Sequence, residues 1–152
     1  MKLKELETSE LINLRDYLEI LGEEIRTGQV YWEFEARLFE CEGVFSDISE
    51  VVELAYPDAR LDLAQIPEGS VEVLNIALES ERGRFLPHLI SNYILGIWPL
   101  LEACIDYNNS RMFRYLCSEQ DNLLHGIVGY FAVIIYNENL RRCLFLSGST
   151  DT

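Results

Sequence analysis

The spacing of apolar residues over the first forty positions predicts one helix followed by one strand. The helix begins at Thr8 or Ser9 and ends near Ile25, because apolar side chains recur every three or four residues on one face. These side chains are Leu11, Leu14, Leu18, Leu21 and Ile25. Over positions 30–38 the pattern changes to alternation, which is typical of a strand with one buried face and one acidic face.

Shorter signals fill the middle of the chain. They are a helix between Asp47 and Pro57, a brief strand at 60–66, a short helix at 70–78, a longer helical region that starts at Pro87 and is kinked or split at Pro99, and a strand at 111–117. Few parallel crossovers fit this order of elements. We therefore predict an α+β fold in which helices pack on a mainly antiparallel sheet, with one compact domain at 1–147 and a short tail at 148–152.

The clearest local pattern lies near the end of the chain. Apolar, β-branched and aromatic runs at 127–136 and 140–147 flank the turn-forming residues 137–139, which predicts a β-hairpin. Arg141 and Arg142 follow the turn, in a chain with only 12 Lys and Arg. Adjacent strand residues face opposite sides, so at most one of the two can reach the buried face, where it needs a carboxylate. A structural salt bridge and a contact with an acidic partner both stay open for either arginine.

Composition and charge limit the class of protein. At 152 residues with 49% hydrophobic content, the chain is long enough for one self-sufficient core and too apolar for disorder. Its formal net charge of −14 repels nucleic acid and anionic membranes and favours a basic protein surface as partner. The same charge would also serve solubility alone. Four cysteines without a C-x-x-C spacing favour free thiols in a reducing cytosolic or nuclear setting.

The residue types that usually carry catalysis are sparse and poorly spaced. His88 and His125 are the only histidines, and neither lies in a spacing that suits a metal. No sequence feature marks Cys117 as a nucleophile. Glu33 and Glu35 point the same way on the predicted strand; such a pair could share acid–base work or hold a cation, and it also keeps a strand edge soluble. We predict no enzyme activity, no cofactor and no metal site.

The hairpin resembles the signature block of the Maf-type repressors of RNA polymerase III transcription, which are unrelated to the bZIP Maf factors. That family carries a tract like F-x-Y-F-F-Y-N-K-x-L-K-R-I-V-F-F-S, and residues 131–147 align with it. The positions that match it identically or conservatively are Tyr136, Asn137, Leu140, Arg141, Arg142, Phe145 and Ser147. Weaker similarities follow the family's order along the chain, at residues 1–5, 34–36 and 56–58 and at Trp98 with Glu102.

The chain also departs from the family pattern. Glu138 stands where the family has a Lys, and the run before the turn is mostly aliphatic. The long phosphorylated linker and the acidic C-terminal tail of many members have no counterpart. The resemblance therefore implies a minimal and divergent member.

This resemblance implies a non-catalytic repressor, present in nucleus and cytoplasm, that binds the clamp and winged-helix subunits of RNA polymerase III. Its binding would block engagement of the polymerase with the promoter-bound initiation factor, without direct contact to nucleic acid or membrane. The candidate partner contacts are Glu33, Glu35, Arg141 and Arg142. Two other classes stay open, an acidic immunity protein or DNA mimic that neutralises a basic partner, and a small-molecule sensor domain.

Overall fold

A computed structural model of the protein describes residues 2–24, 31–43, 45, 47–57, 59–61, 96–106, 109–117 and 127–151. In chain order, the described helices and strands are β1 (Lys2–Leu6), α1 (Ser9–Glu24), β2 (Tyr31–Glu42), α2 (Ile48–Ala55), β3 (Ala59–Leu61), α3 (Ile97–Ile105), β4 (Arg111–Cys117), β5 (Ile127–Asn137) and β6 (Arg142–Asp151). None of these helices is long and apolar enough to cross a membrane.

The strands form one six-stranded sheet in the order β1-β2-β6-β5-β4-β3, and every neighbouring pair is antiparallel. The predicted α+β fold with a mainly antiparallel sheet is confirmed. The predicted hairpin is confirmed as β5 and β6, which pair with each other, while β6 also pairs with β2. This order places the first and last parts of the chain side by side.

Helices cover both faces of the sheet. On the first face, buried side chains of α1 and α3 pack on the sheet residues Ala36, Leu38, Met112, Val133, Ile135, Leu144 and Leu146. On the second face, Val51 and Val52 of α2 pack on Phe39, Cys41, Phe113, Tyr115, Ala132, Ile134, Cys143 and Phe145. Because the centre of β5 is buried on both faces, its sequence reads as a continuous apolar run instead of an alternation.

The helices near the N-terminus follow from local sequence signals. All four leucines of the stripe on α1 are buried, and the Leu11 amide donates a hydrogen bond of 3.2 Å to Thr8 Oγ1 at the start of the helix. Asp47 caps α2 by accepting a hydrogen bond of 3.1 Å from the Ser49 amide. The predictions for these two helices are confirmed, although Ile25 lies outside the described residues.

Three boundaries differ from the prediction. The strand β1 was not predicted, because its five residues carry three charges and show no regular alternation; its pairing with β2 gives it its shape. β2 continues four residues beyond the predicted end, to Glu42. The structure also places residues 148–151 within β6 instead of in a separate tail, because they pair with the first residues of β2.

Other predicted elements are described only in part. β3 covers the start of the brief strand predicted at 60–66. The helix predicted at 70–78 and the first part of the helical region predicted from Pro87 lie outside the described residues. Within that region α3 begins at Ile97, so Pro99 lies in a first turn, where its missing N–H breaks no helical hydrogen bond.

Candidate functional site: the hairpin turn and the acidic edge of β2

The turn of the hairpin holds one of the two predicted arginines. Arg141 is exposed and has a φ of 52°, so it lies in the turn and not on a strand as predicted. Its amide donates a hydrogen bond of 3.3 Å to the Glu138 carbonyl, which closes the turn, and its carbonyl accepts a hydrogen bond of 2.7 Å from the Cys41 amide, which ties the turn to β2. Arg142 begins β6 and is partly buried. Neither arginine forms a salt bridge with a residue that the structure describes.

Asn137 joins the hairpin to the end of α3. Its side chain is 1% exposed, and its Nδ2 donates to the carbonyl oxygens of Ile105 at 3.2 Å and Asp106 at 3.4 Å. Its Oδ1 accepts a hydrogen bond of 2.9 Å from the Leu140 amide. Asp106 ends the helix with a φ of 49°, in the left-handed region that leaves the last carbonyls accessible to a side chain. This Asn therefore has a structural role.

Two further residues of the signature also serve the fold. The Arg111 guanidinium lies 5.5 Å from the ring centre of Tyr136. Phe145 is buried at the centre of an aromatic cluster, with ring centres 5.6 Å from Phe39, 5.3 Å from Tyr56 and 5.4 Å from Tyr115. The side chains most similar to the family pattern thus account for packing, whereas Leu140 and Arg141 are the exposed ones.

Glu33 and Glu35 both lie exposed on β2 and point toward the face that α2 covers. The hydroxyl of Tyr56, at the end of α2, donates a hydrogen bond of 2.8 Å to Glu35 Oε1. The structure does not bring these carboxylates to the hairpin arginines. Arg142 pairs with Glu40, five residues further along β2 than Glu35, which corresponds to roughly 17 Å.

Arg37 forms a cluster on the same face that the sequence did not reveal. Its Nε and Nη2 donate to the two carboxylate oxygens of Glu5 at 3.2 Å and 2.8 Å. Its guanidinium lies 4.9 Å from the ring centre of Phe39 and 5.1 Å from that of Tyr56. The hydrogen bonds from Arg37 hold the pKa of Glu5 below its ordinary value, and burial raises the pKa of Tyr56 to about 12. Sequence periodicity gives no signal for a pair 32 residues apart.

An acidic groove of about 700 Å³ lies between α1 and β2, beyond the end of β1. Its lining includes the buried side chains of Leu18 and Ala36. Glu19 and Glu23 border it from α1, and Glu33 and Glu35 border it from β2. We call the groove lined by these side chains the β2-edge groove. The four-residue spacing of Arg15, Glu19 and Glu23 is the one sequence signal for its helical border, since it places them on one face of the helix.

The floor of the groove is an edge of the sheet. Pairing of β1 with β2 stops at Leu6 with Leu38, because the chain then turns into α1. Beyond that point, no described strand pairs with β2 on the β1 side. The carbonyl of Ala36 accepts instead a hydrogen bond of 2.9 Å from Arg15 Nε. The same guanidinium bonds the carboxylate of Glu7 at 2.7 Å and 2.8 Å.

Other groups with possible chemistry give no second site within the part of the chain that the structure describes. No group of three or more His, Cys, Asp and Glu side chains there could hold a metal ion. Cys41, Cys104 and Cys143 are buried free thiols, and burial raises the pKa of Cys104 to about 11. His88 and His125 lie outside the described residues.

Comparison with solved structures identifies the class of fold. Two crystal forms of citrus MAF1 are similar to this chain. For one, the TM-score is 0.64 at 15% sequence identity, and the alignment covers 95% of this chain and 98% of the citrus chain. For the other, the TM-score is 0.63 at 14% identity, and the alignment covers 93% of this chain and 99% of the citrus chain. No family model and no curated protein matches the sequence. The chain has a MAF1-type fold, and the predicted resemblance is confirmed at the level of the fold.

Proposed function

We propose that the protein is a repressor of RNA polymerase III transcription that binds the polymerase and blocks its engagement with the promoter-bound initiation factor. The observation that carries this proposal is the MAF1-type fold over 95% of the chain, together with a hairpin that resembles the family signature. The two are linked physically, because Asn137 and Phe145 of the signature help to hold that fold together. The proposed role needs no catalytic residue.

Charge supports a binding mechanism of this kind. A domain of net charge −14 is suited to occupy a basic surface that otherwise meets DNA or an acidic factor, since complementary charge steers encounter and excludes wrong partners. Glu33 and Glu35 are exposed and lie together, so we propose them as contacts for the clamp and winged-helix subunits. Arg141 and Arg142 lie at the other end of β2 and would form a separate contact.

Two other functions use some of the same features. An acidic immunity protein or DNA mimic would share the net charge, and a small-molecule sensor would use a pocket. We favour the repressor because neither alternative accounts for the similarity of the hairpin sequence to the family signature. We expect the protein in both nucleus and cytoplasm.

A pull-down with the tagged full-length chain tests the proposal. Polymerase III subunits are expected among the proteins recovered from a nuclear extract at physiological salt. The tagged chain must first show a cooperative unfolding transition, which establishes that it is folded. Recovery of a folded bait without polymerase subunits would rule out the proposed function.

Charge reversal tests the proposed contact face. Glu33→Lys combined with Glu35→Lys is expected to weaken polymerase binding by roughly tenfold or more, because two attractive contacts become repulsive. Asp16→Lys with Glu53→Lys changes the net charge equally at exposed positions on α1 and α2, away from both proposed contacts. If the two double variants bind equally well, Glu33 and Glu35 are not the contact face.

A further inference from the structure

We propose that the β2-edge groove binds an extended, lysine- or arginine-rich peptide segment of the partner, which adds to the sheet as a strand beside β2. This inference deepens the proposed function, because it names the form in which a partner occupies the acidic face. The experiments below separate its failure from a failure of that function.

Backbone geometry shows which groups of β2 face the groove. In an antiparallel strand the N–H and C=O of one residue point to the same side, and successive residues alternate. The Cys41 amide bonds to Arg141 on the β6 side, and the register from Glu40 to Tyr31 has no shift. The backbone groups of Ala36 therefore point away from β6, as its bond from Arg15 also indicates.

Arg15 takes the place of a strand donor at this edge. Its Nε donates to the Ala36 carbonyl in the direction in which the amide of an added strand would donate. Arg15 is a side chain held by the exposed Glu7 and is itself partly exposed. An incoming strand can therefore displace it without unfolding any element of the sheet.

The borders of the groove determine which peptide fits. Glu19 and Glu23 stand on one side, and Glu33 and Glu35 stand on the other. Among the residues that the structure describes, Arg15 pairs with Glu7 and Arg37 pairs with Glu5, so neither groove arginine is taken up by these four carboxylates. Successive side chains of an added strand point to opposite sides, so neighbouring Lys or Arg residues would reach both borders. Their aliphatic stems would cover Leu18.

The same charges disfavour a second copy of this chain as the occupant. Pairing two copies edge to edge would bring like carboxylates together between two molecules that each carry −14. The groove therefore discriminates by charge among extended segments and selects a basic one.

Peptides with selectively blocked backbones test strand addition. The probe is a labelled acetylated peptide of sequence V-K-R-V-K-V, measured by fluorescence anisotropy against the full-length chain at low salt. Two further versions of the peptide are N-methylated, one at its odd-numbered and one at its even-numbered residues. Each version keeps the charge of the parent peptide but loses the backbone N–H donors along one of its two edges. One version is expected to bind at least roughly fivefold more weakly, because only one edge faces β2. Equal binding by both versions, or no binding of the parent peptide, would overturn the proposal.

Matched charge variants locate the site. Glu19→Gln with Glu33→Gln removes one carboxylate from each border, and Glu53→Gln with Glu138→Gln removes the same charge elsewhere. The groove pair is expected to weaken peptide binding roughly fivefold, about the effect of two exposed ion pairs, and the control pair less than twofold. If both double variants lose the same amount of peptide affinity, the groove is not the binding site. All four glutamates are exposed, so both double variants are expected to fold.

The two proposals fail in different ways. If the chain recovers polymerase but does not bind the peptide, the groove is rejected and the proposed function is retained. If the peptide binds in one register but no polymerase is recovered, strand addition is supported and the proposed function is rejected.

Discussion

At the scale of the residue, Arg37 combines packing and charge in one side chain. A guanidinium is planar and weakly hydrated, so it can lie against aromatic rings while its edge forms hydrogen bonds. Here it contacts the rings of Phe39 and Tyr56 and bonds both carboxylate oxygens of Glu5. Because Glu5 lies on β1 and Tyr56 ends α2, one arginine links two strands and a helix.

The lowered pKa of Glu5 predicts how stability depends on pH. The folded pKa lies below the ordinary 4.5, so the ion pair stabilises the fold fully above that value and loses its effect as pH falls through the folded pKa. Glu5→Gln is expected to lower the free energy of unfolding near neutral pH by no more than about 1 kcal/mol, because the pair is partly exposed to solvent.

Urea denaturation of both proteins over a pH series provides the measurement. The difference between wild type and Glu5→Gln should stay constant near neutral pH and shrink only as the pH falls below about 4.5, because Glu5 becomes protonated there. Glu53→Gln, at an exposed position of α2, serves as the control and should show no such trend. A difference that grows toward acid pH would contradict the assigned ion pair.

At the scale of the element, Asn137 determines how the hairpin meets α3. The last carbonyl groups of a helix have no hydrogen-bond partner inside the helix, and a tight turn contains an amide N–H that also needs a partner. One buried side chain satisfies both, because it donates to Ile105 and Asp106 and accepts from Leu140. The signature residue of the hairpin is thus a connection between two elements 31 residues apart.

Replacing this side chain should destabilise the protein markedly. Asn137→Leu keeps the number and branching of the side-chain heavy atoms but leaves buried polar groups without partners, so we expect a loss of about 2–4 kcal/mol in the free energy of unfolding. Urea denaturation measures it, with Asn139→Ala in the exposed turn expected to change stability by less than about 0.5 kcal/mol. Similar stabilities for the two variants would refute the structural role of Asn137.

At the scale of the whole molecule, the excess of acidic residues acts against the compact state. The sequence carries 26 acidic and only 12 basic residues, so more than half of the carboxylates have no basic residue of their own to pair with. Repulsion among exposed charges is screened by salt, with a Debye length that falls from about 30 Å at 0.01 M to about 10 Å at 0.1 M. The fold should therefore be more stable at higher ionic strength.

The urea midpoint is expected to rise between low salt and about 0.3 M NaCl. Glu53→Lys with Glu138→Lys reduces the net charge from −14 to −10, since each substitution adds two positive charges, and this variant should show a smaller rise. A midpoint that falls with salt would mean that attractive ion pairs outweigh repulsion in this fold.

Local sequence patterns determined the elements whose geometry repeats along the chain. The leucine stripe of α1, the Asp47 cap of α2 and the turn residues between β5 and β6 each act over a few residues. Hydrogen bonding and side-chain direction in a helix or hairpin are set by near neighbours, so their periodicity is visible in the sequence. The α+β class followed from the order of these elements.

The tertiary structure alone decided the strand β1 and the β2-edge groove. Each depends on the strand order β1-β2-β6, which brings together residues far apart in the chain. Glu5 meets Arg37 across 32 residues, and Arg15 reaches Ala36 across 21. The sequence identified Glu33 and Glu35 as a pair that points the same way. That they border a groove follows only from where β1 stops pairing with β2. The pairing joins residues far apart in the chain, so it leaves no periodic signal in the sequence.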